Sequence, residues 1–173
     1  DEEAVETHLF ACDACGERLH DTIALADGLR ALARSGSLQV VVPDRFVEHA
    51  VQTGLRVREY APPRGESMQC TVGVDDVLLV ARLAADLTTA QRVDLSWSDP
   101  NGVEHQRMSD IPIQADAGSV ICQQSITWAK ASPTSTMVAR LLAVDDTGAE
   151  RLLGEYTFHH TRTIPGPPGF QLP

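Results

Sequence analysis

Two hydrophobic periods divide this chain. Through residues 19–34 the apolar positions Ile23, Leu25, Leu29 and Leu32 return on a helical spacing, which predicts an amphipathic helix. Asp13 or Asp21 is placed to cap its start, and Gly36 follows the basic end at Arg34, as helix C-termini prefer. Gly28 weakens its interior. Ahead of it, Leu9 and Phe10 predict a short strand at His8–Ala11. Behind it, Leu38 to Val42 reads as a buried strand. Pro43 and Asp44 open a second helix with Phe46, Val47, Ala50 and Val51 on one face and Gly54 at its end. Leu55 to Tyr60 alternates apolar with charged residues and suits an edge strand. Residues 8–60 are therefore expected to form a small α/β segment, with Ala61-Pro62-Pro63-Arg64-Gly65 as a linker.

Beyond the linker the period is two. Met68, Cys70 and Val72 alternate with polar neighbours, and Val77, Leu79, Ala81 and Leu83 share a face. Val93, Leu95 and Trp97 point one way, with Arg92, Asp94, Ser96 and Ser98 expected to face solvent on the other. Asp99-Pro100-Asn101-Gly102 is a turn. Val120, Cys122, Ile126 and Trp128 form another inward row, then Val138, Leu142 and Val144, an Asp145–Gly148 turn, and Leu152, Tyr156 and Phe158. Six or seven strands separated by turns predict an antiparallel β-sandwich over residues 66–162, so the fold class is α+β. The Pro/Gly-rich residues 163–173 are expected to be an extended tail.

Composition narrows the function classes. A formal net charge of -10 over 173 residues, with no Lys/Arg run, argues against a nucleic-acid partner. The longest apolar runs are strand-sized, well short of the roughly 20 residues a membrane span needs, so no membrane span is expected in this chain. The chain opens at Asp1 rather than at methionine, which predicts that something ahead of it has been removed.

Cys12-Asp13-Ala14-Cys15-Gly16 is the sharpest local feature. Two thiolates at this spacing can chelate zinc or exchange as a redox pair. His8 and His20 lie on the same stretch, so zinc held by Cys12, Cys15 and His20, or by His8 in its place, is one expectation. A local disulfide or two unreacted thiols is the other. A redox pair at a helix start would gain from the helix dipole, but the chain ahead of the linker is short for a thioredoxin-like domain. Cys12 to Arg18 also has the spacing of a phosphate-wrapping loop, but Asp13 and Glu17 inside it would repel a phosphate.

Cys70 and Cys122 both fall on inward rows, with Trp97 between them in sequence. In this the last two-thirds of the chain resembles immunoglobulin domains, although Trp97 lies further past Cys70 than those domains place theirs. The resemblance implies an immunoglobulin-like sandwich with Cys70 and Cys122 as an inter-sheet disulfide; two buried thiols are the alternative. With Cys12 and Cys15, all four cysteines are disulfide candidates.

Elsewhere, His159 and His160 should point to opposite faces of a strand. His105 with Met108 reads as a hairpin edge, and Asp75-Asp76 and Asp145-Asp146 read as turn residues. No catalytic constellation is present. The reading is a non-catalytic binding or assembly module with a protein partner, a subunit of a larger extracytoplasmic or cell-envelope complex, with no resident cofactor. The alternative is a thiol- or zinc-dependent protein centred on Cys12 and Cys15. Paired cysteines favour the extracytoplasmic setting, and free thiols would favour a cytoplasmic one.

Overall fold

The computed structural model describes residues 2–34, 36 and 38–164. It divides into two compact units, Asp1–Ser35 and Gly36–Pro173. The architecture is mixed α+β, with four helices and two β-sheets of four and five strands among the described residues.

The first unit holds two helices, α1 (Glu2–Ala11) and α2 (Asp13–Arg34). The expected strand at His8–Ala11 is instead the last turn of α1. Two adjacent apolar residues are too few to set a strand period, and Glu2 and Glu3 in the first turn favour the helix dipole. The predicted helix over residues 19–34 is present but starts earlier, at Asp13. Cys12 joins the two helices. Its N–H donates to the His8 carbonyl at 2.9 Å, and its own carbonyl accepts from the N–H of Gly16 at 3.0 Å. Ile23, Leu25, Leu29 and Leu32 are all exposed, and no residue from 2 to 32 is buried.

The second unit contains β1 (Val40–Val42), α3 (Asp44–Gln52), β2 (Val57–Tyr60), β3 (Ser67–Cys70), β4 (Leu78–Ala84), β5 (Val93–Ser98), β6 (Glu104–Met108), β7 (Ser119–Gln124), α4 (Ile126–Ala131), β8 (Ser135–Val144) and β9 (Glu150–His160). The sheets run β1-β7-β4-β2 and β3-β9-β8-β5-β6. They share one core, in which Leu83 and Cys122 of the first sheet meet Leu95, Leu141 and Tyr156 of the second, all fully buried. Trp97 packs its ring against Phe158, centroids 5.6 Å apart. Among the described residues no helix is long and apolar enough to cross a membrane.

Three expectations are corrected. First, β1 and β2 are hydrogen-bonded into the four-stranded sheet, so residues 61–65 join two strands inside one compact unit. Second, the pairing is not purely antiparallel, because β2–β4 and β3–β9 run parallel. A parallel pair needs a crossover connection, and the excursion through β3 in the opposite sheet supplies it between β2 and β4. Third, the inward row expected through Trp128 stops at Gln124 and becomes helix α4. The cause is Ser125, whose Oγ accepts from the Trp128 N–H at 3.1 Å as an N-cap and donates to the Gly36 carbonyl at 2.8 Å. Ser125→Ala should cost about 1 kcal/mol in a urea melt; an unchanged midpoint would show the cap to be idle. Of the expected tail, residues 165–173 lie outside the described residues.

The polar side of β5 is also not solvent-facing. Asp94, Ser96 and Ser98 are almost completely buried. Side chains of neighbouring strands cover them: Arg140 Nη1 donates to Ser98 Oγ at 2.9 Å, Ser96 Oγ donates to Glu104, and Arg107 reaches Asp94 at 3.3 Å.

Candidate functional site

In the first unit, the α1–α2 junction places three ligand-type side chains together. His8 is one helical turn before Cys12, and Cys15 lies in the first turn of α2, so the three fall on one side of the junction. Their ligand atoms lie within 4.8 Å of one another, with His8 Nε2 and Cys15 Sγ 3.2 Å apart. His8 is exposed and the cysteines are half-buried. The histidine in this group is His8; His20, on the next turns of α2, is not part of it. Hydrogen bonds from the backbone and thiol of Cys15 draw the Cys12 thiol below its ordinary pKa. The same thiol–thiol bond pushes that of Cys15 up. One thiol of the pair thus ionises ahead of the other, the condition for either metal capture or nucleophilic attack. The set of one imidazole and two thiols matches three of the four ligands of a tetrahedral zinc site.

In the second unit, Cys70 and Cys122 correct the expected bridge. All four cysteines are free thiols. Cys70 sits on β3, at the edge of the five-stranded sheet, and Cys122 on the interior strand β7 of the other sheet. Gln124 Nε2 donates to Cys122 Sγ at 2.8 Å. Burial pushes the Cys70 thiol up to about 11 and the Cys122 thiol up to about 12, so both behave as small hydrophobes.

The second unit also contains a cavity of about 560 Å³, lined by both sheets and by α4. Its wall is mainly apolar, with Tyr60, Leu79, Trp97, Trp128, Met137 and Phe158 contributing large surfaces. Cys70 and His160 also line it. The side chain of His159, on the opposite face as expected, meets Thr136 Oγ1 at 3.1 Å. Burial, reinforced by the nearby Arg162 charge, lowers the His160 pKa and keeps its ring neutral at neutral pH. His105 lines the cavity as well, while Met108 packs against the core.

The expected turn residue Asp76 proves to be a buried ion-pair member. It caps the Gly73 N–H at 2.7 Å and accepts from Arg58 Nε at 2.9 Å. The sequence signals for this were Arg58 on β2 and Arg56 just ahead of it, two residues apart.

Comparison with protein-family models and with curated proteins finds no match to this chain.

Proposed function

We propose that the protein is a non-catalytic binding and assembly subunit whose residues 2–34 form a zinc-closed helical docking module for a protein partner. The observation that carries this reading is the convergence of His8, Cys12 and Cys15 within 4.8 Å at a helix junction. It is supported by the absence of a core under those helices. A helix as short as the 10-residue α1 is marginal in water by itself, and none of the residues from 2 to 32 is buried. A metal cross-link and an apolar partner would each supply what the sequence withholds. The exposed Ile23, Leu25, Leu29 and Leu32 are the surface offered to that partner. Zinc would hold the junction shut with three protein ligands, leaving its fourth position to water or to a partner side chain.

The second unit serves in this reading as the scaffold, an immunoglobulin-like sandwich used for recognition. Two sheets sharing one core and five antiparallel pairings among the described strands support it. The free state of all four thiols favours a reducing, cytoplasmic setting over the extracytoplasmic one.

A second reading has its own support. The lowered Cys12 thiol beside a raised Cys15 thiol is the pattern of a dithiol redox pair. Native intact mass on protein purified without reductant or chelator, followed by denatured thiol counting, separates the two. The expected result is one zinc per chain and four free thiols, with Cys12→Ser weakening zinc binding by more than about a hundredfold, since loss of a mere supporting group already costs 10–100-fold. Affinity should also fall as pH drops, because the thiols must shed protons to bind as thiolates. A Cys12–Cys15 disulfide without metal would transfer the site to redox chemistry. Neither metal nor disulfide would remove both readings.

A further inference from the structure

We propose that the inter-sheet cavity of the second unit is a binding site for one uncharged, largely apolar small molecule that carries a hydrogen-bond acceptor. The volume of about 560 Å³ falls within the roughly 300–1,000 Å³ of clefts that enclose small ligands. Its wall is built from aromatic, aliphatic and sulfur-bearing side chains, which favour a hydrophobic body. Among the described residues no Lys, Arg, Asp or Glu lines it. In a chain that is 22% charged, a cavity without one charged side chain selects against ions.

Two polar atoms give the occupant its second requirement. Trp97 Nε1 and His160 Nε2 are buried without a hydrogen-bond partner among the described residues, and both side chains line the cavity. Trp97 is 8% exposed, so its N–H is withdrawn from bulk water as well. Buried polar groups are nearly always paired, and an unpaired one calls for a specific explanation. An indole N–H only donates, so its missing partner is an acceptor. The neutral imidazole of His160 adds a polar contact without demanding charge. An ester, ketone or ether oxygen on an apolar body answers both the wall and the orphaned donor.

The molecule carries its own reporter, because its two tryptophans, Trp97 and Trp128, both line this cavity. Titration of the full chain with the neutral fluorophore N-phenyl-1-naphthylamine should quench tryptophan emission by energy transfer, saturably and at one probe per chain. Methyl laurate should displace the probe at a concentration at least tenfold below that needed by laurate anion. Trp97→Phe, which keeps an aromatic six-membered ring and removes the N–H, should weaken methyl laurate about five- to tenfold more than it weakens dodecane, the value of one neutral hydrogen bond. Ser135→Trp, at a half-buried position of the wall, should block the probe. Non-saturable quenching, laurate binding as tightly as its ester, or probe binding unaltered by Ser135→Trp would each overturn the proposal. Equal losses of ester and dodecane in Trp97→Phe would overturn the assigned role of the indole N–H.

Discussion

Asp94→Ala is expected to lower stability at neutral pH by about 3 kcal/mol. Asp94 is 1% exposed on β5, and its carboxylate accepts from three directions. The Asp110 N–H donates at 3.0 Å, Arg107 Nη1 at 3.3 Å and Arg92 Nε at 3.4 Å. Truncation orphans the Asp110 N–H, at a residue already held at φ 53°, and leaves Arg107 short of one partner in a packed outer face. Arg107 keeps Glu104 and Glu150, so the guanidinium is not stranded and the loss should stay below the upper end for broken buried pairs. Asp94→Asn keeps an acceptor for the Asp110 N–H and should recover about half of the loss.

The pH dependence gives this prediction a sign that a packing defect would not have. Burial by itself would raise the Asp94 pKa; the Asp110 N–H and the Arg92 and Arg107 guanidiniums outweigh it and hold the carboxyl below its ordinary value. The unfolded chain, with Asp near about 3.9, therefore binds the proton first. The stabilisation is complete above that value and is lost as pH falls through the lower folded value. Asp76 behaves alike: burial opposes ionisation, but Arg58 and the Gly73 N–H prevail. Urea melts of wild type and Asp94→Ala should thus differ most at neutral pH and converge below about pH 4. A gap that stayed constant into acid would mean that the loss comes from packing and not from the carboxylate.

Asp94 also marks the boundary of what the sequence made legible. The period-two rows of β4 and β5 announced strands and a core, because alternation follows directly from strand geometry. On β8 the strand was legible but its face was not: Val138, Leu142 and Val144, expected to point inward, lie on the side of Asp94, Ser96 and Ser98, and the core takes Ala139, Leu141 and Ala143 instead. On β9 Tyr156 and Phe158 reach the core as expected, while Leu152 is exposed and Leu153 takes its place, because the irregularity at Leu141/Leu142 shifts the register. Alternation cannot say what covers the polar face. Asp94, Ser96 and Ser98 look solvent-facing until Arg107 and Arg140 are placed over them by β6 and β8. The pairing partners were hidden for the same reason: β2 and β3 enter parallel pairs only because the chain changes sheets between them. In the first unit the Cys-x-x-C spacing was visible, but the choice between His8 and His20 depended on reading His8–Ala11 as helix. As a strand it would have carried His8 away from Cys12; as the last turn of α1 it brings them together. The cavity had no sequence signal, since its walls use the same apolar positions that elsewhere fill the core.

Gly154→Ala is expected to cost about 3 kcal/mol, at the upper end for an added methyl group in a packed interior. A Cβ at residue 154 would stand 2.2 Å from Tyr156 Oη and 2.7 Å from its Cζ, so something must move. An exposed side chain would swing away. Tyr156 is fully buried, and its hydroxyl donates to the Ala84 carbonyl at 2.5 Å, tying β9 of one sheet to β4 of the other. Moving the ring breaks that tie and presses on the shared core; holding the ring forces β9 off its partner β8, beside the irregularity at Leu141/Leu142. The two routes can be separated by a double-mutant cycle. Tyr156→Phe removes the closest of the clashing atoms at the cost of one hydrogen bond, about 1 kcal/mol. In that background Gly154→Ala should cost at least about 1 kcal/mol less than in wild type, because Cζ still crowds the new methyl but Oη no longer does. Strictly additive losses would mean that the alanine is accommodated by the backbone of β9, and that the tyrosine hydroxyl does not hold the ring in place.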